Sequence, residues 1–349
     1  MSTNRPRAAI LLATALVVTG MSAAEADVTI QERIAVEGTG LMSMASMSGT
    51  STTSISGKRA RMESDLRMRT GFVRMLARNA GQSTEIIRLD DDTIYVLEMK
   101  KKRYRETSVA ARRAELAKAV EEATQAQQSN PMAFDDSQCD WSEPKLTVGK
   151  AGAKETFAGL SATPVSIVAK QSCKDRRNGA VCDIALSFEE WVAPSAGGAL
   201  EALQFRAAYA QQMGIGNQGR DVVDRAELLF GRYKKAWSLV ADEIRKVKGF
   251  PVKSRFAFGL GSGCGGAAGG AGASSAPSPG AVASEIFGMF GRKKAPADDP
   301  SAASSEPAPS ALSGMVVPLQ VTSELSSIVS EPLSAGTFEV PAGFKKTAK

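Results

Sequence analysis

The sequence predicts an α+β protein: an antiparallel β-sheet packed on helices and interrupted by one long low-complexity insertion. Three observations carry this. Short apolar runs separated by polar turns recur from Asp27 to Trp191, as hairpin-connected strands require. Val223, Ala226, Phe230, Tyr233, Trp237, Val240, Ile244 and Val247 recur at steps of three and four, which marks an amphipathic helix. From Gly259 to Ser310 the chain is dominated by Gly, Ala, Ser and Pro, and it buries too little to fold by itself.

The elements follow in chain order. Val28 to Val36 alternates as a first strand, and Thr50 to Met62 supplies one or two more. Glu85 to Leu89 and Thr93 to Leu97 flank Asp90-Asp91-Asp92. Antiparallel pairing across that turn is expected to put Ile87, Leu89, Tyr95 and Leu97 on one face and Ile86, Arg88, Ile94 and Val96 on the other. Both faces are partly apolar, so one requires cover and the other at least partial cover. Ser108 to Gln128 reads as an Ala-rich surface helix with Ser108 as N-cap and Val109, Leu116 and Val120 on its apolar stripe. More strands are expected from Trp141 to Trp191. After Pro194 a helix carries Ala202, Phe205, Tyr209 and Met213 on one side and stops at Gly214.

The aromatic helix is expected to run unbroken from Asp221 to Lys248, ~40 Å at 1.5 Å per residue, and to lie across a sheet. Pro251 to Phe258 then forms a strand, and Val316 to Ser326 and Gly336 to Val340 return to strand patterning. Residues 259–311 therefore form an insertion in a strand-to-strand connection, and residues 27–258 and 312–346 form a single domain.

Residues 1–26 have the layout of a secretory signal: Arg5 and Arg7, an apolar run from Ala8 to Val18, and Ala24-Glu25-Ala26, with Asp27 the expected mature start. That run is too short to span a bilayer, and no Cys follows it, so a periplasmic protein without a lipid anchor is expected. The 43 Lys and Arg exceed the 37 Asp and Glu only mildly, and nucleic acid is not an expected partner. There is no His, which removes the residue on which Ser-His-Asp, Cys-His and most zinc-hydrolase chemistry depends. No enzymatic activity and no cofactor are expected.

Cys139, Cys173, Cys182 and Cys264 would all face an oxidising space. The polar turn Lys174 to Gly179 joins two apolar runs into a hairpin whose register sets Cys173 opposite Cys182 and Ile167 opposite Phe188. A Cys173–Cys182 bridge is the expected pairing, Cys139 with either of them the competing one, and Cys264 a spare thiol.

Some of these segments also resemble a known group. Ile86-Ile87-Arg88-Leu89-Asp90, Tyr95-Val96-Leu97 and Lys101-Lys102-Arg103-Tyr104-Arg105-Glu106 resemble the opening sheet of a set of uncharacterised secreted bacterial proteins. Glu190-Trp191-Val192-Ala193-Pro194, Gly249-Phe250-Pro251 and the stretch Phe338 to Lys346 look like its other landmarks. The group is similar in fold to the periplasmic lipoprotein carrier and outer-membrane lipoprotein receptor (LolA/LolB-like) superfamily. The resemblance implies a curved, half-closed sheet around helices, with an apolar cavity for acyl chains. The expected partner is then a lipid or a lipidated protein, and the membrane surface is a further candidate.

On that reading Ile87, Leu89, Tyr95, Leu97, Phe230, Tyr233 and Trp237 line the cavity. Thr70 to Ala80 could form a short helix with Phe72, Met75 and Leu76 opposite Arg74 and Arg78. Together with Arg69, those arginines would meet anionic headgroups, or the segment is only a solvated cover helix. Met42, Met44 and Met47 have a thioether spacing suited to Cu(I), and Met is equally a flexible cavity lining. Asp90-Asp91-Asp92 lacks the spaced ligands of a calcium loop and reads as a turn. The patch Ile286 to Gly291, followed by Arg292-Lys293-Lys294, could touch a membrane or fold over a cavity mouth. The alternative function is a structural or envelope-interaction module whose core its own side chains fill.

Overall fold

The structure is a computed structural model of the chain, and it describes residues 27–39, 46–68, 82–118, 139–149, 152–195, 198–214, 233–261, 264 and 309–347. Its strands are β1 (Val28–Gly38), β2 (Met47–Ser56), β3 (Arg59–Met68), β4 (Gln82–Arg88), β5 (Thr93–Glu98), β6 (Arg103–Ser108), β7 (Cys139–Trp141), β8 (Lys145–Gly149) and β9 (Glu155–Phe157). β10 (Leu160–Asp175), β11 (Val181–Ala193), β12 (Phe250–Leu260), β13 (Val316–Val329) and β14 (Lys345–Lys346) complete them. The helices are α1 (109–118), α2 (Gly198–Met213) and α3 (Lys234–Lys246).

All fourteen strands belong to one curved, unclosed sheet in the order β14-β6-β5-β4-β3-β2-β1-β13-β12-β11-β10-β7, with β8 and β9 also paired to β10. β14 runs parallel to β6, and the other ladders among the described residues are antiparallel. β12 pairs directly with β13, so the low-complexity tract does interrupt a strand-to-strand connection. Both ends of that tract are tied to one place. Gly261 N–H donates to Asp183 O, and Leu312 packs on Ala185 and Ala257.

Local chemistry sets several boundaries as expected. Ser108 Oγ accepts from Ala111 N–H at 2.9 Å and caps α1. α2 stops at Gly214, whose φ of 67° suits a left-handed C-terminal cap. The hairpin β10–β11 has the expected register, with Ile167 opposite Phe188 and Cys173 opposite Cys182.

Elsewhere the structure departs from expectation. α3 begins at Lys234, so the helix is 13 residues and about 20 Å long. Tyr233 leaves the helical region (ψ 48°) because its ring is held elsewhere, stacked on Phe258 at 5.7 Å and edge-on to Trp141 at 5.9 Å. Residues 221–232, including Phe230, lie outside the described residues. The strand expected over Gly336 to Val340 is a 3-10 turn, Ala335–Phe338, in which Thr337 N–H donates to Ser334 O and Phe338 is buried on Ile86 and Leu97.

The hairpin β4–β5 is offset by one residue from the expected register. Arg88 pairs with Thr93 and Ile87 with Ile94, so the connection has four residues, Leu89 to Asp92. Leu89 N–H donates to Lys58 O in the neighbouring turn, which takes Leu89 out of the ladder. A one-residue slip exchanges the faces. Ile87, Leu89 and Ile94 therefore join the core beneath α2, while Tyr95 and Leu97 join Ile86 on the other side. There Leu333, Phe338 and Phe344 of the C-terminal segment cover them, so both faces are covered as expected.

The disulfides are Cys139–Cys173 and Cys182–Cys264, not Cys173–Cys182. Each cysteine of the hairpin has a second neighbouring segment on its outer side. Asp175 pairs with Cys139, which sets Cys139 diagonal to Cys173, and the end of β12 carries Cys264 back to Cys182 with a Cα–Cα distance of 4.3 Å. Cys264 is thus a bridged, buried residue rather than a spare thiol.

The β9–β10 connection offers a test of local strain. Phe157 pairs with Leu160, and the two loop residues, Ala158 (φ 47°) and Gly159 (φ 80°), both lie in the left-handed region. Alanine pays a steric cost there that asparagine largely avoids. Ala158→Asn is expected to stabilise the protein by about 1 kcal/mol, read as a rise in urea midpoint. A lowered midpoint would contradict the turn geometry.

Candidate functional site

Ile30 and Val36 lie six residues apart on β1 and so share a face. Ile30 belongs to the core under α2 and Val36 borders the core under α3, which places both helices on the same side of the sheet. α2 lands on β1, β2, β12 and β13, whereas α3 lands on β8, β10 and β11. The two footprints meet at the β11–β12 pair.

A transverse belt of polar side chains crosses the helix-bearing face at this seam. It runs from Ser64 (β3) through Ser51 (β2), Glu32 (β1), Ser323 (β13) and Ser254 (β12) to Glu190 (β11); each step is a directly opposed pair except Glu32 to Ser323, which is diagonal, since Glu32 lies opposite Leu325 and Ser323 opposite Ile34. Ser51 and Ser64 hydroxyls lie 3.3 Å apart, Ser323 Oγ donates to Glu32 at 3.4 Å, and Ser254 Oγ donates to Glu190 at 3.4 Å. From α2, Arg206 reaches down to Glu32 at 2.9 Å. Glu190 is 0% exposed and Ser254 8%. A buried carboxylate is costly unless paired or hydrogen-bonded, as Glu32 is by Arg206 and Ser323.

On one side of the belt is a close-packed aromatic cluster. Phe188 and Phe256 are one same-face step from Glu190 and Ser254, and pair with each other. Trp237 of α3 stands edge-on to Phe256 at 6.4 Å, with Phe258, Leu186, Val240 and Ile244 around them. Trp237 Nε1 is enclosed and has no acceptor among the described residues. Across the belt lie Val28, Ile30, Ile55, Ala202 and Phe205. Gly198 opens α2 where a Cβ would come within 2.6 Å of Val28, so the helix start is pressed onto β1.

The opposite face is also charged inside. Glu189 receives a hydrogen bond from Arg255 Nε at 2.7 Å, and the Lys253 ammonium lies 5.0 Å from the Trp191 ring centre and 3.5 Å from Glu324. Trp191 donates its indole N–H to Glu155 at 2.9 Å.

No family model, curated protein or solved structure matches this chain.

The residues expected to line a cavity are distributed over three clusters. Tyr233 and Trp237 are together in the core under α3, Ile87 and Leu89 are in the core under α2, and Tyr95 and Leu97 lie on the other face. Phe230, Arg69, Arg74 and Arg78, the 70–80 segment, Met42, Met44 and residues 286–294 lie outside the described residues. Met47 is buried at the start of β2. In the basic stretch that begins at Lys58, Arg59 pairs with Asp90, Arg61 with Glu63 and Arg67 with Asp65. The Arg67 hydrogen bond holds the Asp65 carboxyl below its ordinary value. At the Asp90-Asp91-Asp92 turn an open hollow of about 540 Å³ also takes in Arg113, Gln211 and Gln212. Asp90 and Asp91 are engaged there by Arg59 and Arg88. Among the described residues no group of three or more His, Cys, Asp or Glu side chains could hold a metal ion.

The belt was not anticipated, although a signal for it exists. Glu32 interrupts the alternating apolar series Val28, Ile30, Ile34, Val36, and Ser254 interrupts Val252, Phe256, Phe258. A polar residue in the buried half of a period-2 pattern is the mark to look for.

Proposed function

We propose that the protein is a non-catalytic binding protein of an oxidising extracytoplasmic compartment, the periplasm, and that it takes an acyl chain, a lipid or a lipidated partner against the helix-bearing face. One observation carries the reading. Two helices divide that face of an unclosed, curved sheet between them, and at their boundary an aromatic cluster abuts a hydrogen-bonding belt. An amphiphile has the same division, an apolar chain ending in a polar group. The two disulfides fit an oxidising compartment, and among the described residues no helix is long and apolar enough to cross a membrane.

The test is native mass spectrometry of residues 27–349, exported and purified without detergent, followed by organic extraction. A discrete added mass identified as fatty acid or phospholipid is the expected result. An unadorned mass, with no thermal stabilisation on adding lipid, would overturn the proposal. It would favour the alternative of a self-filled core serving protein contacts, for which the direct ring packing of Tyr233, Trp237, Phe256 and Phe258 is the supporting feature.

A further inference from the structure

A tryptophan indole has one polar atom, and it can only donate. Of the chain's three tryptophans, Trp191 donates to Glu155, whereas Trp237, 5% exposed, has its Nε1 enclosed with no acceptor among the described residues. A buried donor left unmet is costly and rare in folded proteins, and calls for an acceptor from elsewhere. A phenylalanine at 237 would give the α3 seam much of the same apolar packing without that cost. Position matters as much as the missing bond. Trp237 packs on Phe256, which is one same-face step from Ser254 and hence at the border between the aromatic cluster and the belt. Phe256, which its ring meets, and the other members of its cluster, Phe258, Val240 and Ile244, suit hydrocarbon and have no side-chain acceptor.

We infer that Trp237 is a ligand-recognition residue whose indole N–H donates to the carbonyl or carboxylate oxygen of a bound acyl compound. This rests on the acyl-binding proposal above and adds to it the chemical group that is selected. An apolar face retains any chain of suitable length, whereas a single buried donor distinguishes an oxygen-bearing ligand from a bare hydrocarbon. The donor would then be satisfied only in the loaded protein.

The test compares a long-chain fatty acid, its methyl ester and the alkane of equal length, with wild type and W237F, by displacement of a fluorescent fatty-acid probe. Wild type is expected to bind acid and ester about tenfold more tightly than alkane, the worth of one buried hydrogen bond, and W237F to lose that preference while still binding alkane. Equal binding of all three ligands to wild type overturns the role of Trp237 and leaves the acyl-binding proposal standing. A preference that persists in W237F overturns it equally. If wild type binds none of the three and does not take up the probe, the acyl-binding proposal fails first and the inference with it. The wild-type comparison alone decides the matter if W237F does not fold.

Discussion

Replacing Cys182 and Cys264 together by alanine is expected to cost about 4.5 kcal/mol of stability, and replacing Cys139 and Cys173 about 4 kcal/mol. These figures follow from the entropy of closing loops of 82 and 34 residues in the unfolded chain, and the longer loop gives the larger effect. The Cys182–Cys264 bridge spans α2, α3 and β12, so without it the unfolded chain regains the freedom of the whole helical segment. Urea titration of each double variant measures the loss. A shift worth under about 1 kcal/mol would mean that the bridge does not form or constrains little. Pairing is checked separately by tryptic mapping without reduction, since Lys174, Arg176 and Arg177 separate Cys173 from Cys182. A peptide joining those two cysteines would refute the connectivity.

Removing one partner of the Glu189–Arg255 pair is expected to be nearly as damaging. The two residues face each other across β11 and β12, with side chains only 5% and 11% exposed. Arg255 also lies over the Trp191 ring, 5.8 Å from its centre. Exposed pairs such as Lys235–Glu143 are worth little, because water solvates the charges almost as well when apart. A buried charge has no such recourse. Glu189→Leu or Arg255→Met alone should cost about 3–5 kcal/mol, whereas the double variant should recover most of that loss, because no uncompensated charge remains. A double-mutant cycle by thermal or urea unfolding tests this. Single variants that lose less than about 1 kcal/mol would show that the pair behaves as a surface pair.

These two effects mark where sequence reasoning reached and where it stopped. The β10–β11 hairpin and its register were legible because the turn residues and the alternating apolar positions on both strands agree. The end of α2 at Gly214 and the cap at Ser108 were legible for the same local reason, since each depends on a few neighbouring residues. The interruption of the β12–β13 connection was legible from composition, because the tract lacks the apolar side chains that pack.

What failed in each case involved a partner distant in sequence. The hairpin register correctly placed Cys173 opposite Cys182, yet both bridges go outward, to Cys139 and to Cys264, because each strand of a sheet has two neighbours and the sequence names only one. The β4–β5 register slipped by one residue because Leu89 N–H is taken by Lys58 O from the adjacent turn, and a period of two turns one residue into a change of face. α3 begins at Lys234 because Tyr233 is claimed by Phe258 and Trp141, while the spacing of three and four continues upstream regardless. The polar belt exists only through strand pairing, joining Ser64, Ser51, Glu32, Ser323, Ser254 and Glu190 from six strands by opposed pairs and one diagonal contact, Glu32 to Ser323. The sequence by itself determined the α+β class, the periods of strand and helix, the hairpins and the insertion, all set by neighbours along the chain. The tertiary structure alone decided the bridges, the face each side chain takes and the seam between the helices, because these depend on contacts closed over long loops.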